Sequence, residues 1–592
     1  MNSRSCFAAF AILGFVAWTY WPLLDTGFIW VDNIIFHNAA WLRYGDSWKE
    51  RVFHNFYDWV NYFRPLTVSL WVAEARAFDA APRLMHVVSL VLHLTNTLLV
   101  GALGLRVTPS TTVRASWFAG VAMLLYGAHA ALVEPVAWIS SQAEMLATLF
   151  VLLGLLLNAT MQRSTPRSVL VAASFFLAAC AKESAAAFPL LIVLFDWMRP
   201  APEQGWARMR ALWTRQRKTY LLVLLAGVGY LGLRYWGLGF LVQGAGTEAF
   251  LSWSRFQTAS YVLVTYWRIM LWPMSGLGPM HLVDTRQFAT FSGGQLGADL
   301  AACAVPLCGI YLACKGKPLG VLILAITAAL LPVMHLIPVD FDMSLYHERY
   351  AMTAIAVACA LIPSVLNSFP VGHRRARPWL TLGAIVMLAW IGIGVANIRI
   401  TLPLWTDEVR LWVWILRSYP SFAPARSHLL VAYSESGDKT HAREMADLLL
   451  RQNPECADCM LNVASLAVAD NDVARLKTAL ENVQKSLRPP FNQRLMQAYM
   501  LAVGQLHELQ GDAQDAIYAY QDAIRIEPLD PVARMNLALV QARYGAVAEA
   551  RANMEMALTL FAPDQREQQR QEFERILAAS NTKAGDTPTA HP

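Results

Sequence analysis

Long apolar runs separated by short polar segments constrain the fold of this chain more than any other feature. An α-helix needs about 20 mostly apolar residues to cross a membrane. Eleven runs approach or reach that length, at 6–24, 84–105, 114–131, 136–158, 168–181, 184–198, 219–240, 297–314, 318–338, 349–366 and 378–398. Only 15% of the residues are charged, against about 25% in an average soluble protein. We therefore predict an all-α fold that begins with a polytopic transmembrane bundle of about eleven spans.

The distribution of lysine and arginine predicts the orientation of this bundle. Short loops rich in these residues stay in the cytoplasm, and the segment 199–218 is the most basic of them. The ambiguous run 256–273 must then lie flat or re-enter, so that an even number of spans separates 199–218 from Lys315. With an uncleaved first span and an odd number of spans, residues 399–592 lie outside the cytoplasm. The compact loops favour the inner membrane of a bacterium, with the C-terminal part in the periplasm.

Three segments between the spans face the same outer side in this topology: the loop 25–83, the turn 129–135 and the segment 339–348. The loop is too long for a simple connection, and its stretch 66–78 predicts a helix lying on the membrane surface. Ionisable residues beside membrane spans are costly and tend to be functional. We therefore expect a site at the outer membrane–water boundary.

A helical repeat occupies the C-terminal part of the chain. Beyond Thr401 charged residues become common, and Gly-Asp and residue-Pro phrases recur at about 34 residues or its double, the tetratricopeptide period. These phrases are Gly437-Asp438, Gly511-Asp512, Gly545, Asn453-Pro454, Glu527-Pro528 and Ala562-Pro563. We predict a transmembrane domain over 1–400, a connector over 401–424, a tetratricopeptide-type α-solenoid of about four units over 425–580 and a disordered tail over 581–592. The unit near 459–492 is degenerate because it lacks the glycine.

The pair Cys456 and Cys459 is the only cysteine pattern that suggests chemistry. A zinc site would need a second pair of ligands, and none lies nearby in the sequence. In an oxidising periplasm we expect a disulfide, with a reduced structural pair as the alternative. Nucleic acid is not an expected partner, because the net charge is only +6 and no basic stripe is interleaved with aromatic residues.

Five short motifs and the entry into the repeats carry a resemblance to a known family. The phrases are Phe28-Ile29-Trp30-Val31-Asp32-Asn33, Tyr62-Phe63-Arg64-Pro65-Leu66, the segment from His129 to Ser140, Ala181-Lys182-Glu183, Leu336-Ile337-Pro338 with Glu348-Arg349-Tyr350, and Trp405 with Asp407-Glu408. Taken in order, they resemble the transmembrane-and-tetratricopeptide-repeat proteins of the C-type glycosyltransferase superfamily, which also includes protein O-mannosyltransferases. The chain departs from the family where Val31 and Asn33 flank Asp32, and at Ala130 and Leu132.

The resemblance implies a catalytic base and nearby contacts on the outer side. Asp32 would be the carboxylate that takes the proton of an acceptor hydroxyl, or else it caps the helical stretch that follows. Alternative bases in the same loop are Asp46 and Asp58. His129 and Glu134 would contact the reactants, or else form a local polar pair. Glu144 would orient one of these two, or pair within the bundle.

The resemblance also implies ligands for a phosphate. Arg349 and Lys182 would hold the polyprenyl phosphate, since guanidinium and ammonium groups both suit phosphate oxygens. Arg64 would support the same site or clamp its loop. The alternative is structural pairing with Glu348 or Glu183.

The expected function is transfer of a sugar from a polyprenyl-phosphate donor to a Ser/Thr hydroxyl of a protein. The repeat domain would bind a protein or peptide acceptor along a concave surface. No cofactor is expected, and dependence on a divalent metal is left open. Two alternatives are transfer to a cell-surface glycan or lipid, and a non-catalytic envelope scaffold whose repeats bind other proteins.

Overall fold

The structure is a computed structural model that describes residues 3–37, 40–43, 48–54, 62–108, 113–199, 202–203, 205–241, 252–289, 292–336, 344–368, 377–488, 492–561 and 563–585. Every regular element in these ranges is helical and none is a strand, which confirms the predicted all-α class. Asp46, Asp58, Ile337 and Pro338 lie outside the described residues. The chain divides into two compact units, Met1–Asp407 and Glu408–Pro592, at a point inside the predicted connector.

The first unit contains the apolar helices. In order, its α-helices are α1 (Ser3–Tyr20), α2 (Ala40–Arg43), α3 (Trp48–Phe53), α4 (Pro65–Phe78), α5 (Pro82–Val107), α6 (Val113–Gly127), α7 (Val133–Ala137), α8 (Gln142–Thr160), α9 (Thr165–Ala181), α10 (Phe188–Trp197), α11 (Gly205–Leu238), α12 (Trp253–Leu271), α13 (Gly293–Cys314), α14 (Pro318–Leu330), α15 (Met352–Asn367) and α16 (Arg377–Thr401). Short 3-10 turns, among them Ile139–Ser141, Glu183–Ala187 and Glu348–Ala351, connect several of them.

Seven stretches of the described residues are long and apolar enough to cross a membrane, as in a multi-pass membrane protein. They are Cys6–Asp25, Pro82–Val107, Ile139–Thr160, Gly205–Leu238, Gly293–Cys314, Glu348–Asn367 and Thr381–Trp405. An eighth forms if Ser116–Gly127 and Ala130–Ala137, which meet at a 53° bend, are one span. Helices α9, α10 and α14 occupy the other predicted spans but are shorter, and α12 occupies the ambiguous run. The count of eleven therefore stays a prediction.

Helix α4 brings the long first loop against the bundle. It begins with Pro65 at its first turn, where a missing N–H costs nothing, and ends at Asp79 in the left-handed region (φ 50°). Its Trp71 and Val72 are buried with residues of the loop. The Thr67 hydroxyl donates to the Ala181 carbonyl at 2.9 Å. This contact sets the first loop beside the end of α9, where Lys182 follows.

The second unit is a series of antiparallel helix pairs. Its helices are α17 (Glu408–Ser418), α18 (Ala423–Glu435), α19 (Lys439–Gln452), α20 (Ala457–Ala469), α21 (Val473–Ser486), α22 (Gln493–Gln510), α23 (Ala513–Ile526), α24 (Pro531–Arg543), α25 (Val547–Leu560) and α26 (Pro563–Gly585). The four pairs from α18 to α25 match the predicted number of units. Their assignment to the tetratricopeptide class stays a prediction.

The turns inside these pairs explain the degenerate unit. Gly437, Gly511 and Gly545 have φ of 80°, 86° and 85°, and Asn471 takes the equivalent position with φ 54°. Asparagine tolerates this left-handed conformation better than other residues with a side chain. The turn therefore forms without the glycine whose absence made the unit look degenerate.

The cysteine pair and the C-terminal end of the second unit were both subjects of prediction. Cys456 and Cys459 are joined in a disulfide, with the sulfurs 2.03 Å apart, where α20 begins. Helix α26 continues to Gly585. The predicted start of a disordered tail at 581 is therefore wrong for 581–585, because the helix runs on through these residues. Residues 586–592 lie outside the described part of the chain.

Candidate functional site

Asp32 fastens the first loop to the start of α8. Its side chain is wholly buried, and one carboxylate oxygen accepts hydrogen bonds from the Ser140 backbone N–H, at 2.9 Å, and from the Ser140 hydroxyl. Two residues earlier on each segment, Trp30 and Trp138 stack with ring centroids 5.0 Å apart. The carboxylate is thus held in one place by a residue 108 positions away in sequence.

His129 is held by backbone groups on both sides of its ring. The Nδ1 atom accepts from the Ala131 N–H at 3.3 Å, so Nε2 carries the proton and donates to the Met270 carbonyl at 3.1 Å. The ring also meets Trp390 edge-on, at 5.3 Å between centroids. The local pair of His129 with Glu134 is a wrong alternative, because each of the two side chains bonds to a different segment.

Glu134 forms a buried ion pair with Arg349. One carboxylate oxygen accepts from the Arg349 guanidinium and the other from the Arg349 backbone N–H at 3.0 Å. The two side chains are only 3% and 6% exposed. The guanidinium also lies over the rings of Trp138 and Tyr350, at 4.9 and 4.8 Å. Arg349 therefore joins the start of α15 to the segment that contains Ser140, the partner of Asp32.

Lys182 forms a second buried pair with Glu144. The same carboxylate accepts from the Ser184 hydroxyl at 3.2 Å. The ammonium group lies 4.8 Å from the centre of the Tyr350 ring, so Lys182 and Arg349 share one aromatic neighbour. Of the two roles considered for Glu144, pairing within the bundle is the one observed, and its partner is Lys182 rather than His129 or Glu134.

Glu183 receives two arginines. Arg64 donates through Nε at 3.1 Å, and Arg234 of α11 donates at 3.3 Å. The Arg64 guanidinium also covers the Tyr62 ring at 4.0 Å. The Glu183 side chain is 34% exposed, the most open of the three carboxylates paired with cations. Arg64 thus clamps the first loop to the end of α9, as one alternative expected.

Glu348 faces a different neighbour from the arginine beside it. It accepts from His281 Nε2 at 2.8 Å and from the Gly278 N–H at 3.1 Å. Burial lowers the pKa of His281, but the charge of Glu348 and its hydrogen bond outweigh burial and raise that pKa overall. The alternative that paired Arg349 with Glu348 or Glu183 is wrong, because the pair partner of Arg349 is Glu134.

These contacts join residues of all five short motifs into one cluster, which we call the Tyr350 cluster. Its members are Asp32, Ser140, Trp138, Glu134, Arg349, Tyr350, Lys182, Glu144, Glu183, Arg64 and Arg234. Sequence reasoning missed Trp138, Tyr350, Ser140 and Arg234 as members. Three of these stand inside the quoted motifs, so an aromatic or hydroxyl next to a predicted charge was the available signal. Arg234 lies in an apolar helix with no motif around it.

The cluster combines buried cations with the carboxylates that pair with them. Lysine and arginine side chains project towards one aromatic ring, and each is oriented by a carboxylate. Among the described residues, no three His, Cys, Asp or Glu side chains form a group that could hold a metal ion.

Comparison of the whole chain with protein-family models and with curated proteins finds no match.

Proposed function

We propose that this protein is a membrane glycosyltransferase that moves a sugar from a polyprenyl-phosphate donor to a Ser/Thr hydroxyl of a protein acceptor. The reaction would take place on the extracytoplasmic side of a bacterial inner membrane, with about eleven spans holding the site. The observation that carries the proposal is the Tyr350 cluster, since motifs spread over some 320 residues supply buried cations and carboxylates to one place. The family resemblance of those motifs supplies the reaction.

In this proposal Asp32 acts as the base. The acceptor hydroxyl oxygen bonds to the anomeric carbon of the donor sugar, its proton passes to the Asp32 carboxylate, and the bond from that carbon to the phosphate oxygen breaks. Ser140 would keep the carboxylate ionised and aimed by donating two hydrogen bonds to it. Because Asp32 is wholly buried, the role requires the acceptor to displace part of the surrounding loop.

Arg349 and Lys182 would hold the phosphate that leaves with its new negative charge. A guanidinium can bind two phosphate oxygens at once, and an ammonium group adds a point charge. Glu134 and Glu144 would position these cations before the donor binds, and the phosphate would share or replace them as partners. His129, with both ring nitrogens bonded to the backbone, would shape the site without transferring a proton.

The second unit would bind the protein acceptor. Paired helices of the tetratricopeptide class stack into a curved surface that suits an extended peptide. Such a surface would support a protein acceptor, whereas a transferase for a glycan or lipid would not need it. A non-catalytic scaffold would use the same surface without the cluster.

The test compares the glycoproteins of cells that make the wild type with those that make Asp32→Ala at equal membrane level. Glycoprotein staining and intact-mass analysis of periplasmic and surface proteins should show a sugar-sized mass loss in the variant. The matched control is Asp25→Ala, which removes a largely exposed aspartate from the same loop and should leave the masses unchanged.

Other outcomes would select among the alternatives. Unchanged protein masses together with altered surface polysaccharide in Asp32→Ala would support a glycan acceptor. If neither the protein masses nor the surface polysaccharide changes, and the full-length variant still captures partner proteins, the result would support the scaffold.

A further inference from the structure

A second buried polar group lies at the far end of α11 from the Tyr350 cluster. Asp196, at the end of α10, is wholly buried. It accepts hydrogen bonds from Asn158 and Tyr220, both at 2.9 Å, and from Gln216 at 3.2 Å, and it pairs with Arg199 at 3.0 Å. These residues tie α8, α10 and α11 together at one level of the bundle.

The polar group around Asp196 and the Tyr350 cluster are separated along α11 by about the thickness of a membrane interior. Gln216 bonds Asp196, and Arg234 of the same helix bonds Glu183 in the Tyr350 cluster. These two α11 positions are 18 residues apart, which spans about 27 Å at a rise of 1.5 Å per residue. The hydrocarbon core of a bilayer is about 30 Å thick. The separation of Asp196 and Glu183 along α11 thus matches the thickness of a membrane interior.

Helix α11 begins well outside the hydrocarbon on this reading. It has 34 residues, whereas about 20 are enough to span. The part before Gln216 carries Arg208, Arg210 and Arg215 and two exposed tryptophans, Trp206 and Trp213. Arginine suits the cytoplasmic headgroup layer, and tryptophan suits the boundary below it.

A cavity of about 600 Å³ opens between α10 and α11 across this boundary. Ile192, Val223 and Leu224 line its inner part, on the hydrocarbon side of Gln216. Trp206, Trp213 and Arg210 line its outer part. The lining of the cavity thus follows the polarity of a membrane, because its outer part contains a cation and its inner part is apolar. The volume is in the range of ordinary ligand sites.

Arg210 differs from Arg208 and Arg215, the two arginines on either side of it along α11. Arg208 donates to the carbonyls of Trp197 and Arg199, and Arg215 pairs with Glu203 at 2.6 Å. Among the residues that the structure describes, Arg210 has no carboxylate or carbonyl partner, and its side chain is exposed at the cavity. A cation at the mouth of an apolar cavity calls for an anion attached to an apolar chain.

We infer that this cavity binds one anionic phospholipid of the cytoplasmic leaflet. Its phosphate lies on Arg210, Trp213 flanks the glycerol region, and one acyl chain runs over Ile192, Val223 and Leu224. Charge complementarity selects an anionic headgroup, because basic residues at a membrane surface attract anionic lipids. The site is separate from the Tyr350 cluster, so it does not depend on the proposed transferase activity.

The test is native mass spectrometry of the full-length protein purified in detergent and incubated with phosphatidylglycerol or phosphatidylcholine. Arg210→Ala removes the cation and Leu224→Trp fills the apolar end. Their matched controls are Arg217→Ala, an exposed arginine of the same helix without a partner in the described structure, and Leu225→Trp, an exposed neighbour outside the cavity. All four positions lie at exposed sites, where substitution is usually tolerated.

The wild type should retain phosphatidylglycerol in preference to phosphatidylcholine. Arg210→Ala should reduce this retention about fivefold, the effect of one arginine facing an anionic membrane lipid, and Leu224→Trp should reduce it at least as much. Both controls should bind as the wild type does. Equal retention of the two lipids, or equal losses in Arg210→Ala and Arg217→Ala, would overturn the inference, as would Leu224→Trp binding normally.

Discussion

Each unit of this chain contains an arginine–glutamate ion pair, and the two pairs lie in opposite surroundings. In the first unit, the side chains of Arg349 and Glu134 are 6% and 3% exposed. In the second, the side chains of Arg551 and Glu574 are 52% and 49% exposed, with a guanidinium nitrogen 2.8 Å from a carboxylate oxygen. An exposed pair contributes about 0–1 kcal/mol to stability, whereas breaking a buried pair costs about 3–5 kcal/mol.

This difference shows where the charges need an explanation beyond stability. A buried pair is often no more stabilising than an apolar pair of the same volume. Stability alone therefore does not account for the Glu134–Arg349 and Glu144–Lys182 pairs lying against one ring. The Arg551–Glu574 pair of the second unit fits an ordinary solvated face.

The largest effect is expected from Arg349→Ala. The substitution leaves the Glu134 carboxylate buried without its cation, so we expect a loss of about 3–5 kcal/mol. Thermal unfolding of the full chain in detergent measures it as a lowered midpoint. The double variant Glu134→Ala with Arg349→Ala removes both charges and should recover much of the loss. A single variant as stable as the wild type would show that the pair is open to water.

Glu74→Gln should stabilise the first unit. Burial raises the pKa of Glu74 from its usual 4.5 to about 8, against a smaller opposing effect of its hydrogen bond from Gln142. Native Glu74 thus keeps its proton longer than unfolded Glu74, and its contribution, full below about pH 4.5, is lost as pH rises through about 8. Glutamine carries no such loss, so the gain at pH 8 should be on the order of 4 kcal/mol.

Thermal unfolding at a series of pH values measures the effect of Glu74→Gln. The gain should shrink as pH falls towards 4.5. The exposed Glu50 provides the control, since Glu50→Gln changes a side chain that stays in water. A gain that is the same at every pH would mean that ionisation of Glu74 is not its cause.

Asn471→Ala tests the unusual turn of the second unit. The left-handed conformation is sterically less favourable for alanine than for asparagine, so we expect the free energy of unfolding to fall by about 1 kcal/mol. Asn471→Gly, which matches the other three turns, should be neutral or slightly stabilising. Amide hydrogen exchange of α20 and α21 in the full chain reports the change locally. Equal exchange in the two variants would argue against a left-handed Asn471.

Arg551→Ala should have the smallest effect. Its pair with Glu574 joins α25 to α26 at the surface, so removal should cost no more than about 0.5 kcal/mol. Hydrogen exchange of α26 should change little, and the small change should fade in 0.5 M salt. A loss as large as that of Arg349→Ala would remove the distinction between the two units.

The sequence predicted the helices better than the tertiary contacts between them. Apolar runs of about 20 residues and a 34-residue period are properties of neighbouring residues, so the periodic helices and most of the apolar ones follow directly. Asp32 was read as a base or a helix cap, yet its bonds run to Ser140, 108 residues away. Which loop ends meet depends on the packing of the whole bundle, and one sequence does not contain that information.

The pairing of the charges shows the same limit. Arg349 was expected to hold a phosphate or to pair with Glu348 or Glu183, and the structure pairs it with Glu134. A charged side chain at the edge of a span has several possible partners, and only the fold selects among them. Helix α10 is shorter than its predicted span because the chain forms a 3-10 turn at Glu183–Ala187 before it begins.

The most direct test of the account is transfer of a radiolabelled sugar to protein by the purified chain. Wild type and Asp32→Asn would be supplied with polyprenyl-phosphate-linked sugars and bacterial envelope proteins, after both show the same thermal stability. The account predicts label in protein with the wild type and at least about 100-fold less with the variant, the usual contribution of a general base. Equal labelling by the two proteins would contradict the role of Asp32, and no labelling by either would contradict the proposed function.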